Sequence, residues 1–65
     1  MTIIWNGAEQ EVQSQSLAEV LRELGYQDDA VATAVNGTFV PARQRGTLLL
    51  NSGDALEVLA PRQGG

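Results

Sequence analysis

The spacing of apolar and polar positions changes several times along the chain. Thr2-Ile3-Ile4-Trp5 is a run of β-branched and aromatic residues, the composition of a strand. Asn6-Gly7 follows, a dipeptide that accepts the positive φ angles of a type I′ turn. Ala8 to Val12 is polar and suits a return strand with one face in water, so the two pieces predict a hairpin. Ser16 stands three residues before Glu19, the spacing of a capping box. Leu17, Val20, Leu21 and Leu24 recur at i, i+3, i+4 and i+7 and share one face, which predicts a helix from Ser16 or Leu17 to about Leu24. Gly25 can end it as a C′ glycine. Just over two turns are too few to stand alone in water, so the leucines must pack on a sheet.

Val31-Ala32-Thr33-Ala34-Val35 alternates at period two, the pattern of a strand. A helix begun at Asp28 or Asp29 is the rival, because alanines permit it. Asn36-Gly37 followed by Thr38-Phe39-Val40 favours a second hairpin, closed by Pro41. Residues 42–46 are polar and suit a connecting loop or a short turn of helix. Leu48 to Leu50 is a brief apolar piece, Asn51-Ser52-Gly53-Asp54 is a turn cluster, and Ala55 to Ala60 is the last strand. The order ββαβ(β)β predicts an α+β fold, with one helix packed across one face of a mixed four- to five-stranded sheet. For the first and last strands to lie parallel at its centre, the helix must cross over right-handedly. That is the β-grasp. The expectation is a single domain over 1–65, with 61–65 a flexible C-terminal tail, mobile from about Arg62 onward where no apolar side chain is left to bury. Inward positions are Ile3, Trp5, Leu17, Val20, Leu21, Leu24, Val31, Thr33, Val35, Val40, Leu50, Leu56 and Val58. Period two turns Ile4, Ala32, Ala34, Phe39, Glu57 and Leu59 to the other face.

Composition narrows the chemistry. Sixty-five residues leave no room for a deep cleft beside a core. A net charge of −4 and a pI near 4.3 argue against a nucleic-acid partner, which wants a basic face. There is no Cys, hence no thiolate nucleophile, thiolate ligand or disulfide. There is no His, the commonest general base and metal ligand. All four basic residues are arginines, so no side-chain amine offers a Schiff base or a conjugation point. The eight carboxylates fit a solvated surface. No apolar run approaches a membrane span, and the start lacks the pattern of a signal peptide. A cytoplasmic protein with no membrane partner is expected. What remains is the end of the chain, Pro61-Arg62-Gln63-Gly64-Gly65, a strand exit that finishes in a diglycine.

This ordered set resembles the ubiquitin-like sulfur carriers, and among them the sulfur carrier proteins of thiamine (thiazole) biosynthesis, the ThiS family. The resemblance runs through the whole chain. An opening strand closes on Asn6-Gly7, Ser16-Leu17-Ala18-Glu19 starts the helix, and Val35-Asn36-Gly37 precedes Val40-Pro41. Gly53-Asp54 leads into Leu56-Glu57-Val58, and the end is Gly64-Gly65. The loop after Pro41 departs from the family, with Ala42 ahead of Arg43 and no aromatic following.

The resemblance implies that the chain is a carrier and not an enzyme. Its Gly65 carboxylate would be adenylated with ATP by a separate adenylating enzyme of the ubiquitin-activating type. A sulfur-donating persulfide protein would then convert it to a thiocarboxylate, which gives its sulfur to thiazole synthase. No cofactor is expected on the chain itself, since ATP belongs to the activating partner. A Cβ at residue 64 or 65 would obstruct close approach of the terminal carbonyl to ATP. Gly64, Gln63 and Arg62, with exposed Leu59 and Phe39, are the candidate partner-binding residues. Arg62 serves equally well as an ordinary solvated arginine. Other readings of the same fold are the small subunit of molybdopterin synthase, a ubiquitin-like modifier of other proteins, and a structural β-grasp domain whose tail has no role.

Overall fold

The computed structural model describes residues 1–26 and 30–60. Arg62, Gln63, Gly64 and Gly65, the expected mobility of 61–65 and the rival helix start at Asp28 or Asp29 lie outside them. The elements are β1 (Thr2–Trp5), β2 (Ala8–Glu11), α1 (Leu17–Glu23), β3 (Ala32–Val35), β4 (Thr38–Val40), a short 3₁₀ turn (Ala42–Gln44) and β5 (Ala55–Leu59). They form one mixed five-stranded sheet in the order β2-β1-β5-β3-β4, with β1 and β5 parallel and the other pairs antiparallel. This is the β-grasp arrangement, with the helix across one face.

Both Asn-Gly pairs do what the sequence predicts. Asn6 and Gly7 have φ of 48° and 89°, and Asn36 and Gly37 have 51° and 83°, the two successive positive angles of a type I′ hairpin. The helix is capped at both ends. Ser16 Oγ accepts from the Glu19 N–H at 3.2 Å. At the other end the Gly25 N–H donates to Arg22 O and the Tyr26 N–H to Leu21 O, the paired bonds of a Schellman motif, and Gly25 holds φ 102°. Ordered Glu23 is the last helical residue and Leu24 the cap, one residue short of the expected end.

The core is Ile3, Val12, Leu17, Val20, Leu21, Val40, Leu50, Leu56 and Val58, joined by half-buried Trp5, Leu24, Val31 and Val35. Two buried residues were not expected. Val12 lies just past β2 and is fully buried, where the pattern gave it to a polar strand. Its N–H still pairs with Met1 O, so the chain keeps its direction for one more residue and drops the valine inward. Arg45 is the larger surprise, at 5% exposure in a segment that reads as a polar loop. Its Nη2 donates to Val31 O at 2.6 Å and its Nε to Thr33 Oγ1 at 3.2 Å, while that hydroxyl donates to Val40 O at 2.8 Å. The guanidinium therefore ties the 3₁₀ segment to β3 and, through Thr33, to β4.

Two expectations shift in detail: Val31 precedes β3 rather than opening it, and β5 stops at Leu59 rather than Ala60. The apolar piece Leu48 to Leu50 holds the helix entry: Leu17 N–H donates to Leu48 O and Leu50 N–H to Gln15 O. The Trp5 and Tyr26 rings meet edge to face at 6.1 Å. No helix among the described residues is long and apolar enough to cross a membrane, and they hold no cluster of acidic, His or Cys side chains fit for a metal.

Glu23 sits in the last turn of α1, where the helix dipole disfavours a negative charge. It is held by the loop that enters the helix. The Gln13 N–H donates to both carboxylate oxygens at 2.8 and 3.1 Å, and the Ser14 N–H adds a third contact at 3.0 Å. These backbone bonds keep its pKa below the ordinary glutamate value.

Two predictions follow from this packing. Replacing Arg45 with Ala removes the donor to half-buried Val31 O and one of the two hydrogen bonds of buried Thr33 Oγ1, and urea denaturation should show a loss of about 1–3 kcal/mol. A loss no larger than an exposed arginine gives would refute the internal tie. Glu23→Gln acts through pH. A depressed carboxylate stabilises the fold above its unfolded pKa of about 4.3, and that stability is lost as pH falls through the lower native pKa. The gap in Tm between parent and variant should therefore be widest near neutral pH and close in acid. A gap independent of pH would contradict the assignment.

Candidate functional site

Laying the helix on one side leaves the other side of the sheet uncovered. The residues there follow from period two. Phe39 on β4, Ala34 on β3 and Glu57 on β5 lie in one cross-strand row, because Ala34 pairs with both Phe39 and Glu57. Ala32 and Leu59 form the next row. Phe39 is 65% exposed and Leu59 74%; single exposed apolar side chains are common, and it is the face these two share that marks a surface.

The two alanines give this face its shape. Flanked by the larger Phe39, Glu57 and Leu59, they form the floor of a shallow depression of about 360 Å³ whose rim is completed by Asn6. The lining is mostly apolar with one carboxylate, Glu57. Such a surface can receive a complementary apolar side chain and a cation from another protein. Among the described residues no group of three His, Cys, Asp or Glu side chains stands there to hold a metal ion.

Phe39 and Leu59 are thus brought together on one face, and Leu59 lies two residues before Pro61, where the candidate tail begins. Ile4 shares the face but is half-buried. Of the loop arginines, Arg45 points inward and is spoken for by β3, while Arg43 remains exposed. A third exposed apolar residue, Leu49 at 60%, belongs elsewhere, on the segment bridged to Ser16. The sequence offered no means of separating Leu49 from its neighbours Leu48 and Leu50. A run of three leucines has no period, and the one that faces water is decided by how that segment crosses the helix entry.

A one-sided five-stranded sheet with a single capped helix and an apolar open face defines a ubiquitin-like β-grasp protein. The particular relationship is shown by sequence: the chain belongs to the ThiS family, whose model matches residues 3–65. It is also similar to the crystal structure of a thiamine biosynthesis protein (ThiS) from Geobacter metallireducens, with 26% identity, a TM-score of 0.83 and 100% of each chain covered. No protein of curated function matches it.

The exposure of Phe39 and Leu59 makes their contribution separable from stability. Changing both to Ser should leave Tm within the few degrees that about 0.5 kcal/mol of surface substitution produces. Binding to a protein partner on this face should weaken by at least tenfold, since about 1.4 kcal/mol of lost apolar contact already does so. A double variant that unfolds would mean these side chains support the core.

Proposed function

We propose that this protein is a sulfur carrier of thiamine biosynthesis, acted on by other enzymes and catalysing nothing alone. The observation that carries this reading is the extent of the family match, which runs from β1 through to Gly65 and so includes the diglycine as well as the β-grasp body. The similar structure from Geobacter metallireducens, described as a thiamine biosynthesis protein, supports the same pathway.

The chemistry follows from what a terminal carboxylate can do. It is ionised at neutral pH, with a pKa of about 3.5, and its carbon carries no good leaving group. One of its oxygens attacks the α-phosphate of ATP on an adenylating enzyme of the ubiquitin-activating type, and pyrophosphate departs. The Gly65 carbonyl is then joined to AMP, a good leaving group. The terminal sulfur of a persulfide-bearing protein attacks that carbonyl and AMP leaves. A second thiol reduces the resulting acyl disulfide and frees the thiocarboxylate. Thiazole synthase receives its sulfur. Each step needs the carbonyl pressed against a partner's reacting groups, and glycine at 64 and 65 keeps side chains out of that space. Arg62 and Gln63 are the tail's contacts within the activating site, and Phe39 and Leu59 dock the body beside it.

Mass spectrometry after incubation with ATP, a sulfur donor and the cognate activating enzyme tests the proposal. The expected product has one oxygen of Gly65 replaced by sulfur. Deleting Gly65 should abolish it, as should adding a residue beyond Gly65, while Gly64→Ala should form the adenylate slowly and fold normally. The thiocarboxylated protein should then support thiazole formation. Sulfur gain by the chain lacking Gly65 would refute the terminus as the site. Sulfur transfer that serves only the molybdopterin precursor would keep the carrier chemistry and replace the pathway.

A further inference from the structure

β5 outruns its parallel neighbour. β1 pairs with it through Ile4 and Trp5, opposite Ala55 and Leu56, and then turns away at Asn6-Gly7. On the β3 side the ladder continues to Leu59, opposite Ala32. On the β1 side, the backbone groups of Val58 face the place where a strand would have continued. The Asn6 carboxamide fills it. Its Oδ1 accepts from the Val58 N–H at 2.9 Å, and its Nδ2 donates to the Val58 carbonyl at 3.2 Å. Meanwhile the main-chain N–H of Asn6 donates to Leu56 O at 2.9 Å. One asparagine therefore does the pairing of two strand residues, its backbone with Leu56 and its side chain with Val58.

Both the turn and the pairing constrain this position. A φ of 48° lies in the left-handed region, where Gly, Asn and Asp are the residues that settle most readily. The turn would accept any of the three. Of them, Asn alone has a donor and an acceptor on one short planar group. Asp would set a second acceptor against the Val58 carbonyl, and Gly would leave both backbone groups of Val58 without a partner. The turn narrows the choice to these three, and Val58 favours Asn among them.

Val58 is the last core residue before the end of β5, and Asn6 also borders the depression on the open face. Resting on the carrier reading above, we propose that Asn6 is a positioning residue for transfer at Gly65. Its carboxamide stands in for a missing strand at Val58, so β5 is held on both edges as far as Val58 and the segment that carries Gly65 follows an anchored strand. Without the clamp, β5 is held there from the β3 side alone. Docking through Phe39 and Leu59 persists, but the terminal carbonyl samples more directions and reaches the near-attack geometry less often. The loss belongs in kcat and not in KM.

Asn6→Gly and Asn6→Asp both keep the turn and test the role. In the glycine variant the Val58 amide should exchange with solvent much faster than in the parent, while the amides of β1 and β3 keep their protection. In adenylate formation with ATP and the cognate activating enzyme, below each variant's Tm, kcat should fall about tenfold with KM within about twofold. Asn6→Asp should shift kcat the same way, because the Val58 carbonyl loses its donor; it retains one hydrogen bond and keeps the test decisive if the glycine variant does not fold. Phe39→Ser should move KM instead. Parental kcat in a folded variant, or parental exchange at Val58 in Asn6→Gly, would overturn the proposal. A parent chain that forms no adenylate overturns the carrier reading and this role with it, while exchange at Val58 still decides whether the clamp exists.

Discussion

The parallel contact between β1 and β5 is the constraint on which the rest depends. It is short, two residue pairs long, and sits at the centre of the sheet. Its backbone bonds run from Ile4 N–H to Asp54 O at 2.8 Å and from Asn6 N–H to Leu56 O at 2.9 Å. Ile3 and Leu56, one from each strand, are fully buried beneath it. A parallel pair cannot be closed by a hairpin, so the chain must cross between the two strands. In this protein the crossing carries α1 over the sheet, and its leucines supply the other half of the core. Losing one fully buried leucine costs about 2–5 kcal/mol. A domain of this size has roughly 3–10 kcal/mol in all, so the contact and its cover form together or not at all.

The same economy explains the open face. One helix covers one side of five strands, and among the described residues nothing covers the other. Along β3 that side carries alanines, which cost little to expose and leave a shallow floor. Phe39 and Leu59 stand above this floor beside the end of β5. On the proposed carrier reading, an apolar surface so placed would bring a partner close to β5. One element thus serves both sides of the sheet: β5 holds the core with Leu56 and Val58 and presents Glu57 and Leu59 outward.

Polar residues hold together what the small core cannot. Arg45 reaches back to Val31 and Thr33, so a loop of the second half is tied to the strand that carries the alanines. Asn36 plays on β3 a part like that of Asn6 on β1. Its Oδ1 accepts from the Ala55 N–H at 2.9 Å, and its Nδ2 donates to Asp54 Oδ1 at 3.0 Å. The two asparagines of the two hairpins therefore grip the central strand from opposite sides, one near its start and one near its end. Hydrogen bonds of this kind give modest net stability but are expensive to leave unmade, so they define geometry more than they add strength.

Local pattern alone determined much of this protein. The hairpins were legible because left-handed angles at two successive residues select Asn-Gly. The helix was legible because its apolar spacing, cap and closing glycine agree. Period two placed Phe39 and Leu59 on the face opposite the helix, and the family was legible in the order of the pieces. Tertiary structure decided what no local pattern encodes. Val12 was hidden because burial there depends on where the chain turns after β2. Arg45 was hidden because an arginine in a polar stretch looks the same whether it meets water or a carbonyl two strands away. Asn6 was read correctly as a turn residue, yet its grip on Val58 joins positions 52 residues apart. Sequence neighbours dictate backbone angles and periods, whereas the partner of a polar side chain is set by which strand the folded chain brings beside it.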